Sequence, residues 1–341
     1  MKQSAFIQQL SVYFNDYLPS VRHCSKNTIS SYADGFAILF RFFHEVNGKK
    51  HYQIDYSDIS TQMIDEYVLW MQNTLRYSPS TQKQRISALS AFLKYASRRE
   101  MKALHSFNAI SGAVTPKIPR NIPPYFSIEE MKILLHLPGC SDIDGIRDAA
   151  ILCLMYDSGA RAQELCDIVI GDLSLVNSCT VKLRGKGNKM REVPISEDTA
   201  KIVRKYLLVN RKTTHENYSD PLFSSQRCSK MTTASIRYLV QKYTAKAKKE
   251  APSLFLCNNY SPHSFRHSKA IHMLKAGVPL IYIRNFLGHE SVKTTEVYAR
   301  VSQESLNNAV KQHSLKTNIQ AKLLTSNKGQ KKTTNFLEKY L

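Results

Sequence analysis

The sequence predicts a mainly helical protein with one small β-sheet, divided into an N-terminal four-helix domain and a larger second domain. Apolar residues recur every three or four positions over most of the chain, and one pair of alternating segments flanks a glycine-rich turn. A proline-rich segment separates the two helical regions, and 341 residues suit two domains of ordinary size. We place these domains at 1–114 and 125–310, with a linker at 115–124 and a basic tail at 311–341.

Apolar residues at helical spacing from Ala5 to Leu18 indicate the first helix of the first domain, and start and stop signals support the other three. In chain order these signals are Ser25 or Asn27, Gly48, Ser60 or Thr61, and Ser78 followed by Pro79. The fourth helix is rich in basic residues, which we interpret as contacts to phosphate groups, although a solvated helix face is the plain alternative. With two basic residues of the linker and one beside the glycine-rich turn, these candidates are Lys83, Arg85, Lys94, Arg98, Lys117, Arg120 and Lys189.

The second domain opens with a capping box, in which Ser127 and Glu130 begin a helix. Alternating residues at 180–184 and 190–194 surround the turn GKGNK and predict a β-hairpin with Lys186 at or beside its tip. Four further helices are predicted at about 197–209, 231–249, 262–276 and 279–287.

The net charge of the chain is strongly positive. It has 48 Lys and Arg residues against 27 Asp and Glu, a formal net charge of +21, and the excess is spread over both predicted domains and the tail. Nucleic acid is the default partner of such a protein. No apolar run reaches the length of a membrane span, and no secretory signal is evident. The seven cysteines include no C-x-x-C pair, so we expect reduced thiols of an intracellular protein.

Motifs for several common chemistries are missing. The sequence has no phosphate loop, dinucleotide-binding fingerprint, zinc-protease motif or G-x-S-x-G, so nucleotide-driven and common hydrolase reactions lack support. Cys257, His263, His267 and His272 lie close together in sequence, but one cysteine without a second ligand pair only weakly suggests zinc.

Basic residues instead occur at positions where the backbone favours an anion. Arg161 follows a helix stop at Ser158-Gly159, and His263 and Arg266 share one face at the start of a helix that Ser261-Pro262 begins. Free N–H groups at such a helix start add positive potential. Each of these residues alone has an ordinary structural explanation, so only the ordered set indicates function.

In order along the chain, these segments resemble the motifs of the tyrosine recombinases, also called phage integrases. SGARAQEL at 158–165 resembles their first arginine box, T/S-G-x-R-x-x-E-L, and GKGNK at 185–189 resembles their hairpin lysine motif. PHSFRH at 262–267 is similar to the H-x-x-R-H box. LGH at 287–289 matches the L-G-H box, and Tyr298 matches the nucleophile box. The catalytic residues that this resemblance implies are Arg161, Lys186, His263, Arg266, His289 and the nucleophile Tyr298.

The resemblance implies a fold and an activity. A SAM-like core-binding domain and a catalytic domain would form a C-shaped clamp on double-stranded DNA. The enzyme would cut and rejoin DNA at specific sites through a covalent 3′-phosphotyrosine, with no metal or nucleotide cofactor. Arginines would bind the phosphate oxygens, Lys186 would protonate the leaving 5′-hydroxyl, and His263 would assist proton removal from Tyr298.

The resemblance also implies an assembly and a cellular setting. Four protomers would form the synaptic complex from monomers free in solution, in the bacterial cytoplasm, with the protein on the nucleoid when bound to DNA. The chain leaves no room for an arm-binding domain, which fits an Xer-like or transposon integrase. Integration or excision of a mobile element and Xer-type resolution both stay open. The alternatives are a type IB topoisomerase-like enzyme and a non-catalytic DNA-binding regulator of the same fold.

Overall fold

The computed structural model describes most of the chain as two compact units, Met1–Arg120 and Asn121–Leu341. The described residues are 4–113, 123–139, 141–176, 178–185, 189–210, 217–224, 230–288 and Tyr298. No helix within these ranges is long and apolar enough to cross a membrane.

The N-terminal unit is helical. Its elements are α1 (Ala5–Val12), a π-helical continuation (Tyr13–Val21), α2 (Lys26–Asn47), two 3₁₀ turns (His51–Gln53 and Tyr56–Asp58), α3 (Thr61–Asn73), α4 (Pro79–Ala96) and α5 (Met101–Gly112). The side chains of Ser25, Ser60 and Ser78 cap α2, α3 and α4 by accepting a backbone N–H three residues on. The four predicted helices are therefore present, and α5 is an additional one.

The core of this unit is aromatic and centres on α4. The ring of Phe92 is fully buried and lies 5.1 Å from the ring of Phe6, 5.4 Å from Tyr13 and 5.5 Å from Phe36. All three pairs meet edge to face, the arrangement that the ring quadrupoles favour. Phe92 thereby joins α4 to α1, to the π-helical segment and to α2.

The second unit surrounds a three-stranded antiparallel sheet with helices. Its elements are α6 (Ile128–His136), α7 (Ile143–Ser158), α8 (Ala162–Asp167), a 3₁₀ turn (Ile170–Asp172), β1 (Leu173–Ser174), β2 (Thr180–Arg184), β3 (Met190–Pro194), α9 (Glu197–Val209), α10 (Thr233–Glu250), α11 (Pro262–Lys275) and α12 (Leu280–Leu287). The strand order is β1-β2-β3, with Val181 paired to Val193 in the hairpin. The predicted hairpin and capping box are confirmed, and β1 is an addition.

Helix α7 runs through the middle of this unit. It is buried on every side from Ala149 to Met155, because apolar residues surround the whole circumference of the helix. It packs against α6, α9 and α11, and it ends at Gly159. The end of this central helix places the first arginine motif.

Candidate active site

Arg161 follows a turn that only glycine fits. Gly159 ends α7 with a φ of 57°, in the left-handed region, and a Cβ at this position would lie 2.9 Å from Leu287 Cδ2. Arg161 then caps α8, where its backbone N–H donates to Glu164 Oε2 over 2.9 Å and its Nη1 donates to Glu164 Oε1 over 2.6 Å. The side chain keeps 34% of its surface exposed, so Arg161 is held in place yet accessible.

Arg266 is a buried cation held by backbone oxygens. It lies in the second turn of α11, which Ser261 and Pro262 begin as predicted, and it is only 3% exposed. Its Nη1 donates to the carbonyl of Gly159 over 2.7 Å, and its Nη2 donates to the carbonyl of Leu287 over 2.6 Å. Both carbonyls lie at helix C-termini, where the backbone dipole is negative and favours a cation.

Burial and neighbouring charge lower the pKa of Arg266 to about 9, which is far below the ordinary value of an arginine. Burial is the larger cause, and the positive charge of Arg161 adds to it, while Glu164 acts in the opposite direction. Arg266 remains charged at neutral pH. An incoming anion would therefore relieve an electrostatic cost that the folded protein already carries.

Glu164 is the carboxylate that organises these arginines. It is 3% exposed and accepts hydrogen bonds from Arg161 and, over 2.7 Å and 3.1 Å, from the guanidinium of Arg191 on β3. Burial alone would raise the pKa of Glu164, but the hydrogen bonds from Arg191 and Arg161 outweigh it and hold the pKa at about 2. One ionised carboxylate thus faces three guanidinium groups, those of Arg161, Arg191 and Arg266.

Tyr298 lies beside the histidines of α11. Its ring is 2% exposed, and its hydroxyl is 2.7 Å from His267 Nδ1. Burial raises the pKa of Tyr298, while the charges of Arg266 and Arg161 act to lower it. The side chain belongs to a buried apolar cluster that includes Ile271 of α11 and Ile283 and Leu287 of α12. The phenol is therefore protonated at neutral pH and has a hydrogen-bond partner.

The two histidines are neutral at physiological pH. Burial, with the charges of His263 and Arg266, lowers the pKa of His267 to about 4. Desolvation and the charges of Arg266 and Arg161 also lower the pKa of His263, although that ring remains accessible to solvent. The two rings stack with their centroids 6.2 Å apart. A neutral imidazole can accept a proton, and His267 Nδ1 lies within hydrogen-bond distance of the protonated phenol.

The structure places the other sequence-predicted residues unevenly. Arg161, His263, Arg266 and Tyr298 lie together, whereas Lys186, His289, Lys117 and Arg120 lie outside the described residues. Lys83 and Lys94 of α4 are exposed, as are Arg98 in the turn that follows and Lys189 beside β3. Arg85 differs from them because it is half-buried and donates to the carbonyl of Ser31 in α2 over 3.3 Å.

The cysteine and histidines that raised a weak zinc alternative do not converge. Across the part of the chain that the structure describes, no group of three or more His, Cys, Asp or Glu side chains could hold a metal ion. His267 contacts Tyr298, and His272 Nδ1 instead lies 2.9 Å from the hydroxyl of Tyr156.

Comparison with known proteins decides the family. A family model described as the phage integrase family matches residues 126–305, more than half of the chain. A second model, the phage integrase N-terminal SAM-like domain, matches residues 10–103. The chain belongs to the phage integrase family. This integrase is a tyrosine-type site-specific recombinase that binds DNA, as the resemblance of its motifs predicts.

Individual relatives agree with this membership. Tyrosine recombinase XerC of Natranaerobius thermophilus is 31% identical to this integrase over 296 residues, which cover 85% of this chain and 93% of the relative. Tyrosine recombinase XerC of Syntrophus aciditrophicus is 29% identical over 310 residues, covering 88% and 95%. The crystal structure of the XerH site-specific recombinase bound to palindromic difH substrate covers 85% of this chain and 80% of that chain, with a TM-score of 0.68. At 21% identity, that likeness shows the fold. Neither the topoisomerase nor the regulator alternative has better support.

Sequence reasoning missed two residues of this integrase's site. The sequence marks His267 as the last residue of the H-x-x-R-H box and as part of the weak zinc alternative, and not as a partner of Tyr298, because that contact joins positions 31 residues apart. Arg191 lies in no recognised motif, and its contacts join positions 27 and 95 residues apart. The one local signal for Arg191 is its place in the alternating strand β3, where it shares a face with the buried Val193.

Proposed function

We propose that this integrase cuts and rejoins double-stranded DNA by transferring the 3′-phosphate of a broken strand to Tyr298. The observation that carries this proposal is the buried phenol of Tyr298, whose hydroxyl lies 2.7 Å from His267 Nδ1 on α11, the helix that carries Arg266. The charges of Arg266 and Arg161 both act to lower the pKa of this phenol. The phenolic oxygen attacks the phosphorus, the bond to the 5′ oxygen breaks, and that oxygen takes up a proton. Rejoining reverses these steps, so the phosphotyrosine bond conserves the energy for resealing.

The two arginines would offset the charge that builds up on the phosphate. Among the described residues, the Nε and Nη2 groups of Arg161 donate to no protein atom, which leaves one edge of the fork for the non-bridging oxygens. Arg266 already donates to two backbone carbonyls, but each terminal nitrogen carries a second N–H. Arg266 would therefore act mainly through its buried charge.

The phenolic proton has two candidate acceptors. The resemblance assigns proton removal to His263, which is neutral and accessible to solvent. His267 is the residue in hydrogen-bond contact with Tyr298, and its low pKa makes it a weak base. We assign the acceptor role to His263, and we assign to His267 the orientation of the phenol.

Lys186 and His289 take the roles that the resemblance gives them, protonation of the leaving 5′ oxygen and a hydrogen bond to the phosphate. Support for Lys186 comes from the residues that flank its segment. The N–H of Gly185 donates to the carbonyl of Lys189 over 2.8 Å, and a Cβ on Gly185 would lie 3.7 Å from Glu164 Oε1. The hairpin therefore closes next to the arginine cluster.

The assembly follows from the reaction. Exchange between two duplexes requires two cuts in each, so we propose a tetramer in the synaptic complex, formed from free monomers in the bacterial cytoplasm and located on the nucleoid when DNA is bound. The relatives are named tyrosine recombinase XerC, and the XerH structure holds its difH substrate. By this likeness the reaction serves Xer-type resolution or the movement of a mobile element. Both predicted domains, at 1–114 and 125–310, would contact the duplex.

Trapping of the covalent intermediate tests the proposed function. The substrate is a nicked duplex carrying a site enriched by binding from a random library, so that the cleaved fragment diffuses away and the adduct accumulates. Wild-type protein should form a phosphotyrosyl adduct, and Tyr298→Phe should bind the duplex equally well without forming one. Tyr282→Phe removes an exposed hydroxyl on α12 and serves as the matched control.

Four outcomes would count against parts of this proposal. An adduct with Tyr298→Phe would contradict the assignment of the nucleophile. Relaxation of any supercoiled plasmid without site preference would favour the topoisomerase alternative, and site-specific binding by a wild-type protein that forms no adduct would favour the regulator. A saturated synaptic complex with only two protomers would contradict the tetramer.

A further inference from the structure

Arg191 on β3 is not part of any motif, yet it contacts the elements that carry three of them. We propose that Arg191 is a positioning residue for DNA cleavage, which holds Arg161 through Glu164 and fixes the β2–β3 hairpin and the end of α12 around the same phosphate. This inference rests on the proposed function, and its test separates the failure of one from the failure of the other.

The first contact is with the arginine box. Arg191 Nη2 donates to Glu164 Oε2 over 2.7 Å, and Arg191 Nη1 donates to Glu164 Oε1 over 3.1 Å. Both side chains are largely buried, with 12% of Arg191 and 4% of Glu164 exposed. This bidentate pair leaves Arg161 a single side-chain bond to Glu164 Oε1. The remaining edge of the Arg161 guanidinium therefore points away from the carboxylate.

The second contact is with the end of α12. Arg191 Nε donates to the carbonyl of Phe286 over 3.1 Å. Gly288 ends this helix with a φ of 66°, and a Cβ there would lie 3.2 Å from Cδ and from Nη1 of Arg191. Glycine is thus required at this position both by the backbone and by the packed arginine. Since Gly288 is the glycine of the L-G-H box and immediately precedes His289, Arg191 packs against the backbone of this box.

The third connection is to the β2–β3 hairpin, of which Arg191 is itself a residue. It pairs with Leu183 of β2, and a Cβ on Gly185 would lie 3.6 Å from Arg191 Nη1. The segment with Lys186 begins directly after Gly185. One guanidinium with all three nitrogens engaged therefore joins the hairpin to Glu164 and to α12. A lysine at this position has a single nitrogen and could not reproduce both the paired bonds to Glu164 and the bond to Phe286 in this geometry.

Loss of Arg191 would change what Arg161 does. Glu164 is buried and ionised, so it must find another donor if the two bonds from Arg191 are removed. Arg161 is the donor already in contact, and a bidentate pair with Glu164 would use the edge that the phosphate needs. We therefore expect loss of transition-state stabilisation, with DNA binding retained.

The principal variant is Arg191→Gln, and Arg147→Gln is its matched control. Arg147 of α7 also donates twice to a buried carboxylate, that of Asp148, which keeps other partners in Lys242 and Tyr243. It lies about 18 Å along the helix from the Gly159 turn. In single-turnover cleavage of the nicked duplex, we expect Arg191→Gln to be slower than wild type by about 100-fold. Arg147→Gln should match wild type, and both variants should bind DNA normally.

A methylphosphonate substrate separates positioning from a merely structural role. This linkage replaces one non-bridging oxygen by a methyl group and so removes the charge that Arg161 offsets. If Arg191 acts by positioning Arg161, the deficit of Arg191→Gln relative to wild type should shrink to about tenfold or less on this substrate. A variant that is slow only because part of the protein is unfolded would show the same deficit on both substrates.

The pH dependence gives a second readout. Arg191 is one of the groups that hold the pKa of Glu164 near 2, together with Arg161, while Arg266 and His263 of α11 also face this carboxylate. Removal of Arg191 raises the pKa of Glu164, so the acid limb of cleavage should move to higher pH in Arg191→Gln. His263 titrates in both wild type and Arg191→Gln, so its titration by itself does not account for a difference in the acid limb between the two proteins.

The outcomes are distinguishable. If wild type forms no adduct, the proposed function fails and this inference fails with it. If wild type cleaves and Arg191→Gln cleaves at the same rate, or shows an equal deficit on both substrates, Arg191 is not a positioning residue. If Arg191→Gln does not fold, Arg191→Lys replaces it. Lysine keeps the positive charge but has one nitrogen, so we expect Arg191→Lys to cleave at an intermediate rate. Cleavage at the wild-type rate would overturn the proposed role of the forked guanidinium.

Discussion

The two units bury different kinds of side chain. Within the described residues, the N-terminal unit buries two polar side chains, Gln82 and Ser106, and neither is charged. The second unit buries charged groups, which are Glu130, Asp148, Glu164, Asp172 and Arg266. A buried charge opposes folding unless it is paired, so a fold retains one where it serves another purpose. Arg266 is the clearest case, because its hydrogen-bond partners among the described residues are two backbone carbonyls.

This contrast assigns different roles to the side chains of the two units. The N-terminal unit places its aromatic rings inside and its lysines outside, which suits a domain that holds DNA through exposed charge. The second unit keeps a cationic pocket within its fold. Substitutions in the first unit should therefore change stability or affinity, and substitutions around Arg266 should change the rate of strand cleavage.

The largest expected effect is on cleavage. Arg266→Met should lower the rate of adduct formation by about 1,000-fold or more, because a buried charge directed at the phosphate is lost. Its effect on stability should be small, since relief of the buried charge opposes the loss of bonds to the carbonyls of Gly159 and Leu287. Quenched-flow trapping and thermal unfolding measure the two quantities. If Arg266→Met is much less stable than wild type but forms the adduct at the normal rate, the second unit would not differ from the first in using its buried charge for chemistry.

The next effect is on stability. Phe92→Ala should destabilise the N-terminal unit by about 3–5 kcal/mol, because it leaves a cavity where three aromatic rings meet. Urea denaturation measures this change, and cleavage per bound complex should stay near the wild-type rate at a temperature where the variant is folded. A rate defect that persists in fully folded, DNA-bound protein would show that this core also supports the chemistry.

The smallest effect is on affinity. Lys94→Gln and Arg98→Gln should each reduce the slope of log affinity against log salt concentration by about 0.9, if each contacts one phosphate. The matched control is Arg99→Gln, because Arg99 lies 4.1 Å from the Tyr95 ring and donates to the Tyr95 carbonyl. Fluorescence anisotropy from 50 to 200 mM salt measures the slopes. An unchanged slope in Lys94→Gln and Arg98→Gln would assign these residues to an ordinary solvated face.

Much of the fold could be predicted where the signal is local. The hairpin strands at 180–184 and 190–194 coincide with the prediction, because alternation and a glycine-rich turn leave little freedom. Helix α5 escaped prediction because its buried face consists of Ala103, Ser106 and Ile110, which give little apolar periodicity. Strand β1 has two residues, too few for any pattern.

The candidate active site likewise contains residues with a local sequence signal and residues without one. Arg161, His263 and Arg266 were found because they lie in short motifs at helix ends, where turn and capping residues mark the position. Arg191 and His267 act through partners distant in sequence, and periodicity carries no information about such pairs. The motif order indicated which residues meet, but which carbonyls receive Arg266 depends on how α7, α11 and α12 pack.

The contacts of Arg266 have a consequence for tolerance to mutation. Its two acceptors are backbone oxygens, so replacing the side chain of Leu287 would alter packing without deleting the acceptor. The vulnerable points are the glycines at the two helix ends, Gly159 and Gly288, where any side chain would strain the backbone and push Leu287 or Arg191 aside. A library randomised around this pocket should therefore retain activity at many apolar positions and lose it at two positions that contribute no functional group.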